Sequence, residues 1–313
     1  MIYLLFVPAC FLSMLLYFRI ADHFGIIDHP NERSSHTRIT IRGGGVIFIL
    51  AALLVVIVHP AYYLPAIGLL TIGFISFLDD IFTLSSLLRL LFHIAAVTFI
   101  FIYLAIFNTE PWYSILLLYI MVIGVINMYN FMDGINGITG TYSLIVLGGL
   151  QYVNIKQVAF VEPDLIWLLI IASLVFLFFN FRKKARCFAG DVGSVTIALW
   201  IIFLLLRLIL LTHNWVYILF LVVYGIDSVL TITHRLYLKQ NILTAHRIHF
   251  YQLLANEKKV SHLIVSSGYA FIQGIIILAI IVLPQTPVAY FFLFNIIPLI
   301  VIYVLVKPRL MRN

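Results

Sequence analysis

Charge is scarce in this chain. Charged residues make up 10% of its 313 positions and apolar residues 64%, whereas a soluble domain carries about a quarter charged residues. That excludes an ordinary water-soluble fold. The apolar residues gather instead into runs of roughly 16–20 positions, long enough to cross a bilayer of about 30 Å. These runs lack the alternation of barrel strands, and backbone groups in lipid must be satisfied within the segment, so helices are expected. Cysteine is almost absent. Cys10 falls in the first run and Cys187 beside a basic loop, which predicts two free thiols rather than a disulfide. No Lys or Arg precedes the first run and no small-residue cleavage pattern follows it, so 1–20 is expected to be a retained first span.

The pattern predicts an all-α polytopic membrane protein, a single domain over 1–313, with about eleven transmembrane helices. The expected spans are 1–20, 43–58, 62–78, 88–107, 112–128, 141–154, 164–181, 193–211, 215–232, 264–283 and 288–306. Pro60, Pro111, Pro163 and Pro287 fall in or beside the short connections, where a missing backbone donor does least harm. Counted through this topology, 17 of the 19 Lys and Arg residues share one side; Lys156 and Arg207 are the exceptions. The basic side is cytoplasmic by the positive-inside rule, so the N-terminus is expected to be periplasmic and the C-terminus cytoplasmic. Contact with anionic headgroups is a sufficient reading of Lys258-Lys259 and of the tail Lys307-Pro308-Arg309. Glu110, Glu162 and Asp164 fall in short outer loops and read as solvated.

The polar loops 21–42, 79–89, 127–140, 182–194 and 233–262 all fall on the basic side. Carboxylates beside hydrocarbon are costly, so several at one depth point to use. Asp79 and Asp80 end a span; adjacent helical residues point about 100° apart, so the two can face different partners. Asn127, Asn130 and Asp133 recur at i, i+3 and i+6 as one polar stripe, followed by Gly134, Asn136 and Gly137. Such oxygen donors suit a hard cation such as Mg²⁺, although a stripe packed between helices is the bland alternative. Gly190-Asp191-Val192-Gly193-Ser194 opens another span. Asp191 reads equally as a helix cap or as part of an anion site at the helix start. Phe188 offers a face on which a nucleobase could stack. Arg247 and His249 lie in the longest inner loop, and arginine binds phosphate through a bidentate fork. Zinc is disfavoured, because no further spaced ligand accompanies His249. Asp227 and Arg207 are charges within spans, and Asp227 lies near enough to support the inner site.

Taken in order, these segments resemble those of the polyprenyl-phosphate N-acetylhexosamine-1-phosphate transferase superfamily, the glycosyltransferase 4 family that includes the phospho-MurNAc-pentapeptide translocase. The resemblance rests on Asp28-His29-Pro30-Asn31-Glu32-Arg33-Ser34-Ser35-His36 with Arg42-Gly43-Gly44-Gly45, on Asp79-Asp80 with Arg89, on the segment from Asn127 to Gly137, on Gly190 to Ser194, and on His246-Arg247-Ile248-His249-Phe250-Tyr251-Gln252. The last looks like the loop motif of the undecaprenyl-phosphate sugar-1-phosphate transferases that initiate O-antigen synthesis.

The resemblance implies transfer of a sugar-1-phosphate from a UDP-sugar to undecaprenyl phosphate, with release of UMP, on the cytoplasmic face of the inner membrane. It implies Mg²⁺, with Mn²⁺ as a substitute, held by Asp191 and Asn130. Asp79 or Asp80 would orient or deprotonate the lipid phosphate. Arg247 and His249 would grip the pyrophosphate and Phe188 would stack on uracil, with Asn127, Asp133, Asn136, Gly190, Arg89 and His36 completing the substrate-binding set. Covalent attack by an Asp and direct attack by the lipid phosphate both stay open. The expected partners are UDP-sugar, undecaprenyl phosphate and the bilayer; a homodimer is admitted, and no nucleic acid is expected. Three positions depart from the family pattern. Asn136 stands where many members carry Asp. Ile39 and Ile41 stand where Pro is frequent. The last loop has Phe250-Tyr251 in place of further histidines, so the resemblance implies an N-acetylhexosamine or a 6-deoxy-N-acetylhexosamine as the sugar. Two rivals remain: a solute transporter, disfavoured because no internal repeat is evident, and an inactive scaffold.

Overall fold

The computed structural model describes residues 2–28, 39–241 and 247–311. Thirteen α-helices run through them: α1 (Ile2–His23), α2 (Val46–Val58), α3 (Tyr63–Phe82), α4 (Ser86–Tyr103), the single turn α5 (Ile106–Thr109), α6 (Trp112–Met132), α7 (Ile138–Lys156), α8 (Pro163–Asn180), α9 (Gly190–Thr212), α10 (Val222–Tyr237), the single turn α11 (Phe250–Gln252), α12 (His262–Val282) and α13 (Val288–Met311). A 3₁₀ segment, Trp215–Leu221, leads into α10. A two-stranded antiparallel pair, β1 (Ile27–Asp28) and β2 (Thr40–Ile41), closes the first polar loop.

Nine of the described helical segments are long and apolar enough to cross a membrane, so the chain is a multi-pass all-α membrane protein. Two of the eleven expected spans differ from that pattern. With 13 residues, α2 reaches only about 20 Å at 1.5 Å per residue. The other, α7, has the length but carries Thr139, Ser143, Gln151 and Asn154, all buried. Its neighbours are α8, α9 and α12, so these polar side chains meet protein rather than lipid, and Thr139, Gln151 and Asn154 hydrogen-bond there. Asn154, for instance, donates to Val161 O at 3.0 Å and accepts from Phe160 N at 2.8 Å.

At the centre stands α9, almost wholly buried, with α2, α3, α6 and α7 packed around it. Its first turn crosses α2 backbone to backbone: a Cβ on Gly45 would overlap Gly193 Cα. Helix starts follow local chemistry. Ser85 caps α4 by accepting from Leu88 N at 3.3 Å, and Pro163 opens α8 where its missing N–H costs nothing.

Two charged residues behave otherwise than the sequence suggests. Lys307 is not a headgroup contact. It is buried, donates to Thr231 Oγ1 at 3.2 Å and to the Tyr303 hydroxyl, and lies 4.5 Å from the Tyr303 ring centre. Position 307 is still within the helix, on its face toward α10, and the long stem carries the ammonium to polar partners. Asp164 is more than a solvated loop acid: it accepts from Tyr3 and lies 2.9 Å from His59 Nε2. That clasp ties α1, the end of α2 and α8 together at the face opposite the polar loops. Cys10 and Cys187 are both free and buried.

Candidate active site

The C-terminal ends of α6 and α8 and the N-terminal end of α9 meet, with Asp28, Arg42, Gln252 and His262, around one polar cavity of about 240 Å³, and Asp79, Asp80 and Arg89 lie outside that lining. Its lining includes Asp28, Arg42, Asn130, Asp133, Asn136, Asn180, Phe188, Gly190, Asp191, Gln252 and His262. Five segments far apart in sequence therefore contribute to a single site.

Asp80 and Asp79 have separate surroundings, as their angular offset on α3 requires. Asp80 caps α9: its Oδ1 accepts from Asp191 N at 2.9 Å and its Oδ2 from Val192 N at 3.1 Å. A carboxylate at a helix start satisfies orphan N–H groups and complements the helix dipole. The α9 N-terminus, read from sequence as an anion site, is thus occupied by a side chain of the protein itself. Gly190, at φ 71°, permits this approach, since a Cβ there would strike Asp80 Oδ2. Arg42 Nε completes the group at 2.7 Å from Asp80 Oδ1. Asp79 turns toward α4 instead, accepting from Leu84 N at 2.6 Å and pairing with Arg89 Nη1 at 2.9 Å.

Asp191 lies between these pairs. Asn130 Nδ2 donates to its Oδ1 at 3.0 Å, while Arg42 Nη2 stands 3.5 Å and Arg89 Nη1 3.8 Å away. Five carboxylates, Asp28, Asp79, Asp80, Asp133 and Asp191, stand with two arginines, Arg42 and Arg89, in and around this cavity. Asp133, just past the end of α6, accepts from Thr139 Oγ1 at 2.6 Å. Burial pushes its carboxyl up to about 7; the Thr139 hydroxyl opposes the rise and Asp191 adds to it. Among the described residues no group of three or more His, Cys, Asp or Glu side chains is arranged to hold a metal ion; the carboxylates of Asp191 and Asp133 are the oxygen donors that a hard divalent cation could use here, and Asn130 turns its Nδ2 toward Asp191 and Ser194.

The rest of the expected set divides. Asn136 is a wall pin: its Nδ2 donates to Arg182 O at 2.8 Å and its carbonyl accepts from Ser266 Oγ at 2.7 Å. Asn127 does not share the cavity. It donates to Ile123 O in its own helix at 2.9 Å and lines a separate apolar groove of about 670 Å³ between α6, α10 and α13. Arg247 and His249 do not line the cavity either. The His249 ring is buried between Phe131 and Tyr251. His36 lies outside the described residues.

Asp227 explains where that loop sits. Its Oδ1 accepts from Phe250 N at 2.9 Å, and its Oδ2 accepts from Tyr251 N at 3.3 Å and from the Tyr269 hydroxyl at 2.7 Å. His249 Nδ1 stands 3.4 Å from Oδ1. A second buried aspartate thus caps a second helical turn, α11. From there Gln252 reaches the cavity wall, and the Tyr251 hydroxyl donates to Phe131 O at 2.9 Å, bracing the turn that carries Asp133.

Sequence reasoning missed Asn180, Gln252 and His262 and gave Arg42 no role of its own. Asn180 is buried and fully engaged, accepting from Gly137 N at 2.6 Å and donating to Cys187 O at 2.8 Å. Only its place at the end of an apolar run hinted at this.

Residues 62–209 match the model of Glycosyl transferase family 4, a stretch that holds Asp79, Asp80, Arg89, Asn130, Asp133 and Asp191 but not Arg42, Asp227 or the 247–252 loop. A Bacillus subtilis (strain 168) protein named probable undecaprenyl-phosphate N-acetylglucosaminyl 1-phosphate transferase is 26% identical over 193 residues, covering 56% of this chain and 54% of its own. The undecaprenyl-phosphate alpha-N-acetylglucosaminyl 1-phosphate transferase of Escherichia coli (strain K12) is 27% identical over 228 residues, 63% of this chain and 59% of its own. The phospho-N-acetylmuramoyl-pentapeptide-transferase of Thermotoga neapolitana is 29% identical over 173 residues, 49% of this chain and 56% of its own. The chain thus spans a little over half the length of the relatives it matches. The family match over 62–209, together with these relatives, makes the chain similar to the polyprenyl-phosphate N-acetylhexosamine-1-phosphate transferase superfamily, the glycosyl transferase family 4 proteins.

Proposed function

We propose that the protein transfers a sugar-1-phosphate from a UDP-sugar to undecaprenyl phosphate and releases UMP, on the cytoplasmic side of the inner membrane. The observation that carries this reading is the single cavity in which Asp191, Asn130, Asp133, Arg42 and Phe188 meet. Oxygen donors for a cation, a cation for phosphate and an aromatic face for a base are what a UDP-sugar requires. The apolar groove along α6, α10 and α13 suits the polyprenyl chain, whose phosphate would then lie near the inner helix ends.

In this reading a phosphate oxygen of the acceptor attacks the sugar-bearing phosphorus. The new P–O–P bond forms as the bond to the uridylyl phosphate breaks, and UMP leaves with the bridging oxygen. One phosphoanhydride replaces another, so the step needs no added energy source. Catalysis is then mainly positioning and charge stabilisation. Asp79, paired with Arg89 beside Asp191, orients the acceptor phosphate and takes its proton. Asp80, with both oxygens engaged, positions rather than attacks. Asp191 and Asn130 would hold Mg²⁺ or Mn²⁺, which when bound would offset pyrophosphate charge. The loop 247–252 gives the cavity a wall whose shape bears on which sugar is accepted, and the glycan begun would be an O-antigen or a related envelope polymer.

The test is purified protein in detergent with undecaprenyl phosphate, Mg²⁺ and a panel of UDP-sugars. UMP release together with a lipid-linked product, each requiring both substrates, is expected. Solute uptake by proteoliposomes with no lipid-linked product would sink the reading.

A further inference from the structure

We propose that Arg42 is the arginine that grips the phosphates of the donor, and that Asp80 is the positioning residue that aims it; the inference rests on the transferase reading above. Among the described residues lining the cavity, Arg42 is the only Lys or Arg. Arg247, expected from sequence to hold the pyrophosphate, is not part of that lining. A pyrophosphate entering a cavity that also holds Asp28, Asp133 and Asp191 needs a cationic partner, and Arg42 is the one the fold supplies.

The position is built from several sides. Arg42 N donates to Ile26 O at 3.2 Å and its carbonyl accepts from the Tyr17 hydroxyl at 2.7 Å. On either side, Ile41 O accepts from Phe188 N and Gly44 N donates to Phe188 O, both at 2.8 Å. The backbone of Arg42 is therefore fastened to the residue whose ring flanks the same cavity. The side chain, 35% exposed, is held at Nε by Asp80 while Nη2 points toward Asp191. Asp80 is itself fixed by two α9 amides. A guanidinium anchored along one edge keeps its other donors in a fixed plane, the geometry that binds phosphate in a fork. The order is α9 amides, then Asp80, then Arg42, then phosphate.

The experiment compares binding of UMP and uridine to the purified protein in detergent with Mg²⁺. Hydrogen bonds to charged groups contribute enough for a tenfold or larger change. Arg42→Gln is expected to weaken UMP by roughly tenfold or more and to leave uridine unchanged. Asp80→Asn should weaken UMP selectively as well, and the double variant should lose little more than the worse single one, because coupled residues are not additive. Equal loss of UMP and uridine, or loss of neither, overturns the role of Arg42. Additive losses overturn the role of Asp80. Should Arg42→Gln fail to fold, Arg42→Lys carries the test: it keeps the charge, loses the fork, and should weaken UMP while sparing uridine. An Arg42→Lys variant that binds UMP as tightly as wild type overturns the proposal. A wild type that prefers UMP to uridine yet makes no lipid-linked product sinks the transferase reading alone. An active enzyme whose Arg42→Gln variant keeps its UMP preference sinks this inference alone.

Discussion

Replacing Asp227 by Asn should impair the proposed transfer without unfolding the protein. The carboxylate is 3% exposed and accepts from two backbone amides of α11, from the Tyr269 hydroxyl and from Thr231 Oγ1 at 3.3 Å. Asparagine is nearly isosteric but has one acceptor oxygen, and its NH₂ would face donors. Two or more charge-assisted bonds are lost and at least one buried amide is stranded, together costing about 3 kcal/mol. That cost falls on the seating of 247–252, not on α10, whose helix does not need this carboxylate. A cost of about 3 kcal/mol lowers the ratio of seated to unseated loop by roughly 150-fold, and lowers the seated population by as much where seating is marginal. With Gln252 and the brace on the Asp133 turn displaced, kcat/KM should fall by about two orders of magnitude while the detergent melting temperature moves only a few degrees. The assay is UMP release at varied UDP-sugar, beside a melting curve of the same preparation. A kcat/KM within about threefold of wild type would show that the α11 cap does not position the site.

Three further outcomes are expected. Chelation of divalent ions, or Asp191→Ala, should reduce UMP release by at least about two orders of magnitude, and re-added Mg²⁺ should restore only the chelated wild type. Asp133 has its folded pKa raised to about 7, so the proton it binds supports the folded state at low pH, and that support is lost as pH rises from about 4 through about 7. Melting of Asp133→Asn, measured without divalent ions, should therefore gain on wild type between about pH 5.5 and about pH 8; a constant difference would refute the shift. Asn180→Ala strands Gly137 N and Cys187 O in the interior and should cost about 2–4 kcal/mol, read as a lower melting temperature, whereas Asn127→Ala should leave the KM for UDP-sugar unchanged.

The helical architecture was legible because hydrocarbon imposes length and apolarity on any helix that touches it. Where a helix touches protein instead, as α7 does, that rule lapses and the hydropathy signal weakens with it. Asp79, Asn130 and Asp191 could be read as one site because each ends or begins a span on the same side. Asn127 was misgrouped because six helical residues advance about 600°, so i and i+6 stand about 120° apart and can face different grooves. Arg42 and Asn180 were hard to see for another reason. Their roles arise from contacts between segments well apart in sequence, Arg42 with Asp80 and Asn180 with Gly137, which hydropathy does not encode. Asp80 looked like a reactive group because a buried acid advertises chemistry, yet here it meets the need of a helix start. Asp227 repeats that solution at α11.

The enclosure of α9 bears on how the protein lives in its membrane. Peripheral helices tilt when bilayer thickness changes, since their apolar length must match the surrounding lipid. A helix wrapped by protein along almost its whole length has no such length to match. Asp191, at its N-terminal end, is therefore insulated from lipid composition, while the groove bounded by α6, α10 and α13 is exposed to it. Moving the protein into a thinner or thicker host membrane should register first in how the acceptor is held, and only later in the chemistry.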